Sequence, residues 1–474
     1  MSITNATLLY QKLKADSEIT TESIIKSLIE FYMKSEERQK KFDGINYYDS
    51  ENTAIKERKE KDLIINHKIA SGFYKKLVDQ KVNYCCGNDI VVENLPEDDD
   101  LIDINDFTID MATEASIKGV EWLYPYINAE RELDYKVINS LECIPIWDTE
   151  FEDTLQTMIR FYKVDMVENG KTFTRNKVEL YDKEKVTYYI EDADHNYIYD
   201  NSVNNEIYYN SNHYVTMGNV TEIKNFGWGQ VPFIPLFNTK KAVYDLQNVK
   251  GDIDLYDIVK SDFANDLEFH QTAILVIINR GAQDLDDFRE KLKKHKIIEI
   301  DNEEAEGGGA HYLTLEIPVE ARKTFLEIIR KDIYEHGFGV DTKQVGDGNI
   351  TNIVIKSRYA DLDLKANKFI KQIKAFLKRW FKFVNIYRKI KGQAQIDVNN
   401  LDYVFDKKMI FNETEMIENF VNQGGRISNK TLLANHTQVN DVDKEEKQIE
   451  KEQAQYDERF GMNTENENDG DEDE

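Results

Sequence analysis

The stretch from Asn352 to Lys391 contains no proline, and within it Tyr359, Leu362, Ala366, Phe369, Ile373, Phe376, Trp380, Phe383 and Tyr387 recur at alternating steps of three and four. That period is close to a coiled-coil seam. At 1.5 Å per residue it predicts the longest helix of the chain, about 60 Å, packed along most of its length. The 474 residues, 41% hydrophobic and 11% aromatic, can supply that packing and hold two or three domains.

The same helix carries a charge anomaly. From Leu364 to Lys391 there is no Asp or Glu, whereas Lys365, Lys368, Lys371, Lys374, Lys378, Arg379, Lys382, Arg388, Lys389 and Lys391 recur, in a chain of net charge −28. Either some of these cations meet DNA phosphates or they pair with acidic neighbours such as those between Asp245 and Asp262. The second reading is the simpler, because an evenly acidic surface repels phosphates and argues against tight DNA binding by the whole surface.

The rest of the chain is mixed α and β. Helical spacing is expected from Glu22 to Asp79 (Ile25, Leu28, Ile29 and Tyr32, then Leu63, Ile64 and Ile69), on to Gly87, and again from Asp110 to Tyr124, beyond an acidic loop at Glu97–Asp100. From about Lys136 to Asn238 alternation predicts antiparallel strands, with turns at Asn169-Gly170 and Asp194. Two prolines in Val231–Asn238 forbid helix and central strand and suggest a stiff crossover.

A helix follows with Leu246, Val249, Ile253, Tyr256, Val259 and Phe263 on its buried stripe and an acidic remainder exposed. Next comes a βαβ-like insert: Ile274–Ile278, a charged helix Asp284–Lys294, Ile297–Ile300, a hinge at Gly307–Gly309 and a strand at Tyr312–Ile317. Val319–His336 predicts a helix burying Phe325, Ile328, Ile329 and Ile333 and stopping at Gly337 and Gly339; a polar loop, Gly339–Thr351, leads into the long helix. A strand within Leu401–Phe411, helices at Glu413–Asn422 and Asn429–Asn435, a charged helix to about Arg459 and an acidic tail complete the chain.

Enzymatic motifs are missing. Gly170-Lys171-Thr172 ends like a phosphate-binding loop, but the pattern needs glycine where Asp165 stands, and a hairpin turn explains it better. The histidines, among them His195, His213, His270, His295, His311 and His336, form no HxxxH pair, and no GxSxG string exists. Cys85, Cys86 and Cys143 have no zinc spacing and are expected as reduced, partly buried thiols. No stretch approaches the ~20 apolar residues of a membrane span, and the start of the chain lacks a signal-peptide pattern. The expectation is a soluble chain, cytosolic when made, with no enzymatic activity, cofactor, metal or membrane partner.

The order of elements resembles the portal proteins of tailed phages. So do the strings NHKIASGFYKKLVDQKVNYCCGNDI (Asn66–Ile90), VPFIPLFNTKKAVYDLQNVKGDIDLYDIVKSDFANDLE (Val231–Glu268), GDGNITNIVIKSRYADLDLKA (Gly346–Ala366) and the segment from Glu415 to about Glu452. The resemblance covers nearly the whole chain and is greatest to the branch from siphophages of low-GC Gram-positive hosts.

It implies an α+β, mainly helical portal fold: residues 1–238 as a wing with a β part from about 136, 239–266 as a stem helix, 267–318 as a small αβ clip and 319–336 as a second stem helix. Residues 337–351 would be a tunnel loop, 352–411 the long helix and its return strand, 412–460 the crown, and 461–474 an acidic disordered tail. The implied function is a homo-oligomeric ring, by family expectation a dodecamer, at one capsid vertex of the virion. It would conduct double-stranded DNA during packaging and ejection, docking the terminase large subunit and later the head-tail adaptor among major capsid and scaffolding proteins.

DNA would face Lys343, Gln344, Gly346, Asp347, Gly348 and Asn349 of the loop; Lys356, Lys365 and Lys368 are further candidates for DNA or subunit contact, and Asp284, Arg289, Lys293 and Lys294 for the clip's partner surface. Weak, sequence-independent contact suits a conduit, since many strong cationic contacts would hold the duplex rather than pass it. The alternatives are another ring-forming head or tail adaptor, suggested by acidic charge and helical interfaces, and a magnesium-dependent nuclease, suggested only by the number of carboxylates.

Overall fold

Thr20 and Ser35 each accept a backbone hydrogen bond at a helix start, from Ser23 and Arg38, and divide the N-terminal region into short helices. The computed structural model describes residues 5–59, 66–96, 103–128, 130, 132–150, 154–168, 171–201, 210–212, 214–217, 223–226, 228–271, 274–278, 297–300, 309–313, 318–342, 352–407, 428–434, 439 and 442–460. It is a mixed α+β chain that divides into two units, residues 1–341 with 359–408 and residues 342–358 with 409–474.

In the first unit α1 (Asn5–Lys14), α2 (Thr21–Met33), α3 (Glu36–Tyr48), α4 (Thr53–Lys56) and α5 (Phe73–Cys86) precede β1 (Val91–Glu93) and α6 (Ile104–Lys118). The helical pattern expected from Glu22 to Asp79 is thus divided among several helices. Ile69 lies in an irregular segment before α5, and Leu63 and Ile64 fall outside the described residues.

The helix expected over Asp110–Tyr124 ends at Lys118, and the strand region expected from about Lys136 is preceded by β2 (Val120–Ile127) and the start of β3 (Leu133–Ile138). Then β4 (Cys143–Trp147), β5 (Leu155–Glu168), β6 (Lys171–Tyr181), β7 (Lys185–Glu191) and β8 (Tyr197–Tyr199) form an antiparallel sheet in that order, with β9 (Asn210–Asn212) also on β7. Glu168 pairs with Lys171, so β5 and β6 form a hairpin about Asn169-Gly170, which lie outside the described residues. Alternation gives this sheet two apolar faces. Ile144, Ile146, Ile159 and Phe161 pack with Ile25, Leu28 and Tyr32 of α2; Met158, Tyr181 and Val186 pack with Trp122, Trp147 and Phe233 on the other side. Burying side chains such as Leu28 contributes about 1.5–3 kcal/mol each.

After β10 (Tyr214–Met217) and β11 (Ile223–Phe226), the proline-bearing segment proves to be a strand rather than a crossover. Among the described residues β12 (Ile234–Phe237) pairs only with β2, in the order β12-β2-β3. Pro235 is tolerated because an edge strand does not need every amide. A 3-10 turn, Asp245–Asn248, then precedes α7 (Lys250–Gln271), so the helix starts eleven residues after Thr239, and Leu246 and Val249 are buried before it begins.

In the insert β13 (Ile274–Ile278) pairs parallel with β14 (Ile297–Ile300), as a βαβ unit requires, and also pairs antiparallel with β15 (Gly309–Leu313). Gly309 opens a strand rather than a hinge, while the expected helix Asp284–Lys294 lies outside the described residues. In α8 (Val319–Gly337), Ile329 and Ile333 are buried as expected, but Phe325 and Ile328 are exposed.

α9 spans Asn352–Lys391 as predicted, and all nine seam residues from Tyr359 to Tyr387 are buried. Phe107 of α6 meets the rings of Phe376 and Trp380 edge-on at 5.8 and 5.2 Å. β16 (Asp402–Val404) pairs with β1. The second unit holds the first turns of α9 together with α10 (Asn429–Ala434) and α11 (Val442–Phe460), with Lys430 3.8 Å from Glu446. The expected helix Glu413–Asn422 and the acidic tail lie outside the described residues.

Candidate functional site

Lys81 occupies an apolar face of α5, between Leu77 and Val78 on one turn and Cys85 on the next, all buried. An ammonium group there requires a buried partner. It donates to Asp245 Oδ2 at 2.6 Å and Asn238 Oδ1 at 2.7 Å, and lies 4.2 Å from the centre of the Phe369 ring of α9.

Asp245 also faces Lys365 of α9 at 3.3 Å and accepts from Asn238 Nδ2 at 3.0 Å; Lys365 donates to the Gly337 carbonyl at the end of α8 at 3.1 Å. Burial alone would raise the Asp245 carboxyl, but Lys365 and Lys81 override it and hold the group well below the usual carboxylate range. One carboxylate therefore ties together α5, the residue after β12, the approach to α7, the end of α8 and the long helix.

The acidic side of α7, expected to face solvent, is partly covered by the N-terminal segment, which buries Asp257 while Asp262 and Glu268 stay 44% and 51% exposed. Tyr47 bonds to Asp254, Asn52 to Asp257, the Ile69 amide to Ser261 Oγ at 3.0 Å, Arg58 to Asp262 at 2.6 Å and the His67 amide to Asn265 at 2.7 Å; the His67 ring meets Glu268. Burial pushes the Asp257 carboxyl up, against the hydrogen bonds from Asn52 and Ser71. His336 pairs with Asp252 at 2.7 Å and Arg322 with Asp266 at 2.5 Å, so α7 and α8 run antiparallel.

This hairpin leads toward the polar loop. Phe338 takes the left-handed conformation (φ 58°) that ends α8. Gln80 then pins Val340 from both sides, accepting from its amide at 2.8 Å and donating to its carbonyl at 2.9 Å. Arg330 holds Asp341 with a two-pronged contact at 2.9 and 2.7 Å. The loop's leading end is thus fixed to α5 and α8.

The loop candidates Lys343, Gln344, Gly346, Asp347, Gly348 and Asn349 lie outside the described residues, as do Asp284, Arg289, Lys293 and Lys294. Lys356 and Lys368 are exposed on α9, whereas Lys365 is built into the Asp245 junction. Sequence reasoning did not single out Lys81, Asn238, Gln80, Arg330 or Asp341. A lysine inside an apolar helical stripe was the available signal for the first.

Among the described residues no group of histidine, cysteine, aspartate and glutamate could hold a metal ion, and no helix is long and apolar enough to cross a membrane. Cys85, Cys86 and Cys143 are free and all buried, more deeply than expected, and burial pushes the Cys85 thiol up to about 12.

Comparison with known proteins places these elements in a lineage. The chain is 29% identical over 442 residues to the portal protein of Bacillus phage SPP1, covering 88% of this chain and 84% of that protein. It is likewise 29% identical over 442 residues to the portal protein of Clostridium phage phiCD119, covering 86% of this chain and 92% of the relative. The family described as "Phage portal protein, SPP1 Gp6-like" matches residues 30–459, nearly every element described above, and the chain belongs to that family.

Proposed function

We propose that this chain is the subunit of a dodecameric ring at one capsid vertex of a virion, assembled in the host cytoplasm, and that the ring is a passive conduit for double-stranded DNA during packaging and ejection. The observation that carries the reading is the family match over residues 30–459, which takes in α7, the insert, α8 and the long helix together. In the subunit Leu255 and Leu267 of α7 and Val319, Phe325 and Ile328 of α8 remain 42–51% exposed. Apolar side chains left uncovered on a helical hairpin suit a head-to-tail contact that closes into a ring.

In this reading residues 1–238 with the 364–411 region form the wing, 239–266 and 319–336 the stem, 267–318 the clip, and 412–460 the crown. The clip, with Asp284, Arg289, Lys293 and Lys294, meets the terminase large subunit during packaging and the head-tail adaptor afterwards; the remaining body meets major capsid and scaffolding proteins. Residues 339–351, with Lys343, Gln344, Gly346, Asp347, Gly348 and Asn349, face the duplex. The net charge of −28 favours an acidic channel wall that does not hold the duplex. Motor work then belongs to another protein, and this chain has no catalytic role.

Electron microscopy of the purified protein tests the reading. Rings with a central channel are expected; a stable monomer under assembly conditions contradicts it.

A further inference from the structure

Five lysines of α9, Lys368, Lys371, Lys378, Lys382 and Lys389, are exposed in the subunit. At about 100° and 1.5 Å per residue they fall within roughly 80° of the helix circumference and along roughly 30 Å of its length. None of the five has a hydrogen-bond, ion-pair or ring partner among the described residues. Other cations of the same helix are engaged: Lys365 with Asp245, Lys374 over the Phe405 ring at 5.7 Å, Lys391 over Tyr387 at 4.7 Å, and Arg388 with the Ala394 carbonyl at 2.6 Å. The reading in which acidic neighbours absorb the basic helix therefore fits Lys365 but not this face.

We propose that the exposed lysine face of α9, in the region read as wing rather than channel wall, is a second contact surface for the phosphate backbone of duplex DNA, distinct from the 339–351 loop and engaged without base readout. The proposal rests on the conduit reading. The occupant follows from charge and composition. Lysine is depleted at interfaces between proteins. The exposed large apolar side chains nearest to this row, Leu364 and Ile390, lie beyond its two ends, so the row itself holds no anchor for a protein partner, whereas α8 exposes Phe325 and Ile328 for a second copy. A row of long, singly charged side chains suits sequence-independent phosphate contact, and its restriction to one face directs a polyanion there while the acidic remainder repels it.

The test titrates the assembled wild-type protein with a fluorescent duplex of random sequence across a salt series. A Lys371→Gln/Lys378→Gln/Lys382→Gln variant and its Lys→Arg counterpart are measured beside it. The glutamine variant is expected to bind roughly tenfold or more weakly, with a log K against log salt slope shallower by roughly 0.9 for each phosphate that is no longer neutralised. The arginine variant keeps both. Equal affinity and slope for wild type and the glutamine variant overturn the proposal, as does a wild-type ring that binds no duplex. A glutamine variant that no longer assembles while the arginine variant does overturns it as well, assigning the face to a second copy. Ring formation is scored in the same samples: absence of rings is a failure of the conduit reading, and rings that ignore duplex are a failure of this surface.

Discussion

Lys81 and Asp245 form an ion pair of 2.6 Å in which the lysine side chain is 1% exposed and the carboxylate 9%. Asp245 is shared with Lys365, so its loss strands two ammonium groups, one of them fully enclosed. Asp245→Ala is expected to destabilise the subunit by about 3–5 kcal/mol, the range for removing one partner of a buried pair. Lys81→Met leaves Asp245 with Lys365 and Asn238 and is expected to cost less. Denaturant unfolding of both variants checks the order; a larger loss in Lys81→Met contradicts the shared-carboxylate account.

Glu121 is enclosed beside Lys118, and burial, only partly opposed by Lys118, pushes its carboxyl up to about 7 from an ordinary 4.5. The folded state then holds more protons than the unfolded state between those values, so this group's contribution to stability falls as pH rises through that window. Glu121→Gln removes the titration while Lys118 keeps Glu114 at 2.8 Å. The variant is expected to gain on the wild type as pH rises from 4.5 to 7. Unfolding midpoints on either side of the window check this, and parallel profiles would count against it.

Gly119 ends α6 in the left-handed region at φ 86°, where an added Cβ would press on the Ala242 carbonyl. Its own carbonyl accepts from the Asn238 amide at 2.9 Å, next to the Lys81 junction. Gly119→Ala is therefore expected to lose about 1–3 kcal/mol through strain and displaced backbone. A loss below about 0.5 kcal/mol, the range of an ordinary surface change, would show that the site relaxes freely.

The long helix was legible from Tyr359 to Tyr387 because a seam of that period leaves few other folds for those residues. Helices α7 and α8 were legible from the same kind of spacing, and the parallel strands β13 and β14 from two short apolar runs on either side of a charged stretch. The covering of α7 was not: a carboxylate that faces water and one that receives Asn52 or Arg58 look alike in sequence, and only the tertiary path of residues 47–69 distinguishes them. Phe325 and Ile328 show the converse, since helical period marks an apolar face without saying whether its partner lies in the same subunit. Pro235 misleads in another way: an edge strand tolerates proline where a central one does not, and a strand's place in its sheet is set by partners distant in the chain.

The loop assignment predicts a separation of assembly from translocation. Replacing Lys343 and Asn349 by bulky residues should leave ring formation intact and reduce DNA filling of the capsid. The leading anchor, Gln80 with Val340 and Arg330 with Asp341, is untouched by these changes. Normal filling of capsids carrying such rings would refute the assignment.

The central claim, a ring of this chain conducting the genome, is tested most directly by imaging the portal vertex of a DNA-filled particle by electron cryomicroscopy. The account predicts a ring of this chain between capsid and tail, with duplex density on its axis and residues 339–351 nearest to it. A ring of another protein at that vertex, or this chain placed elsewhere in the particle away from the DNA path, would contradict it.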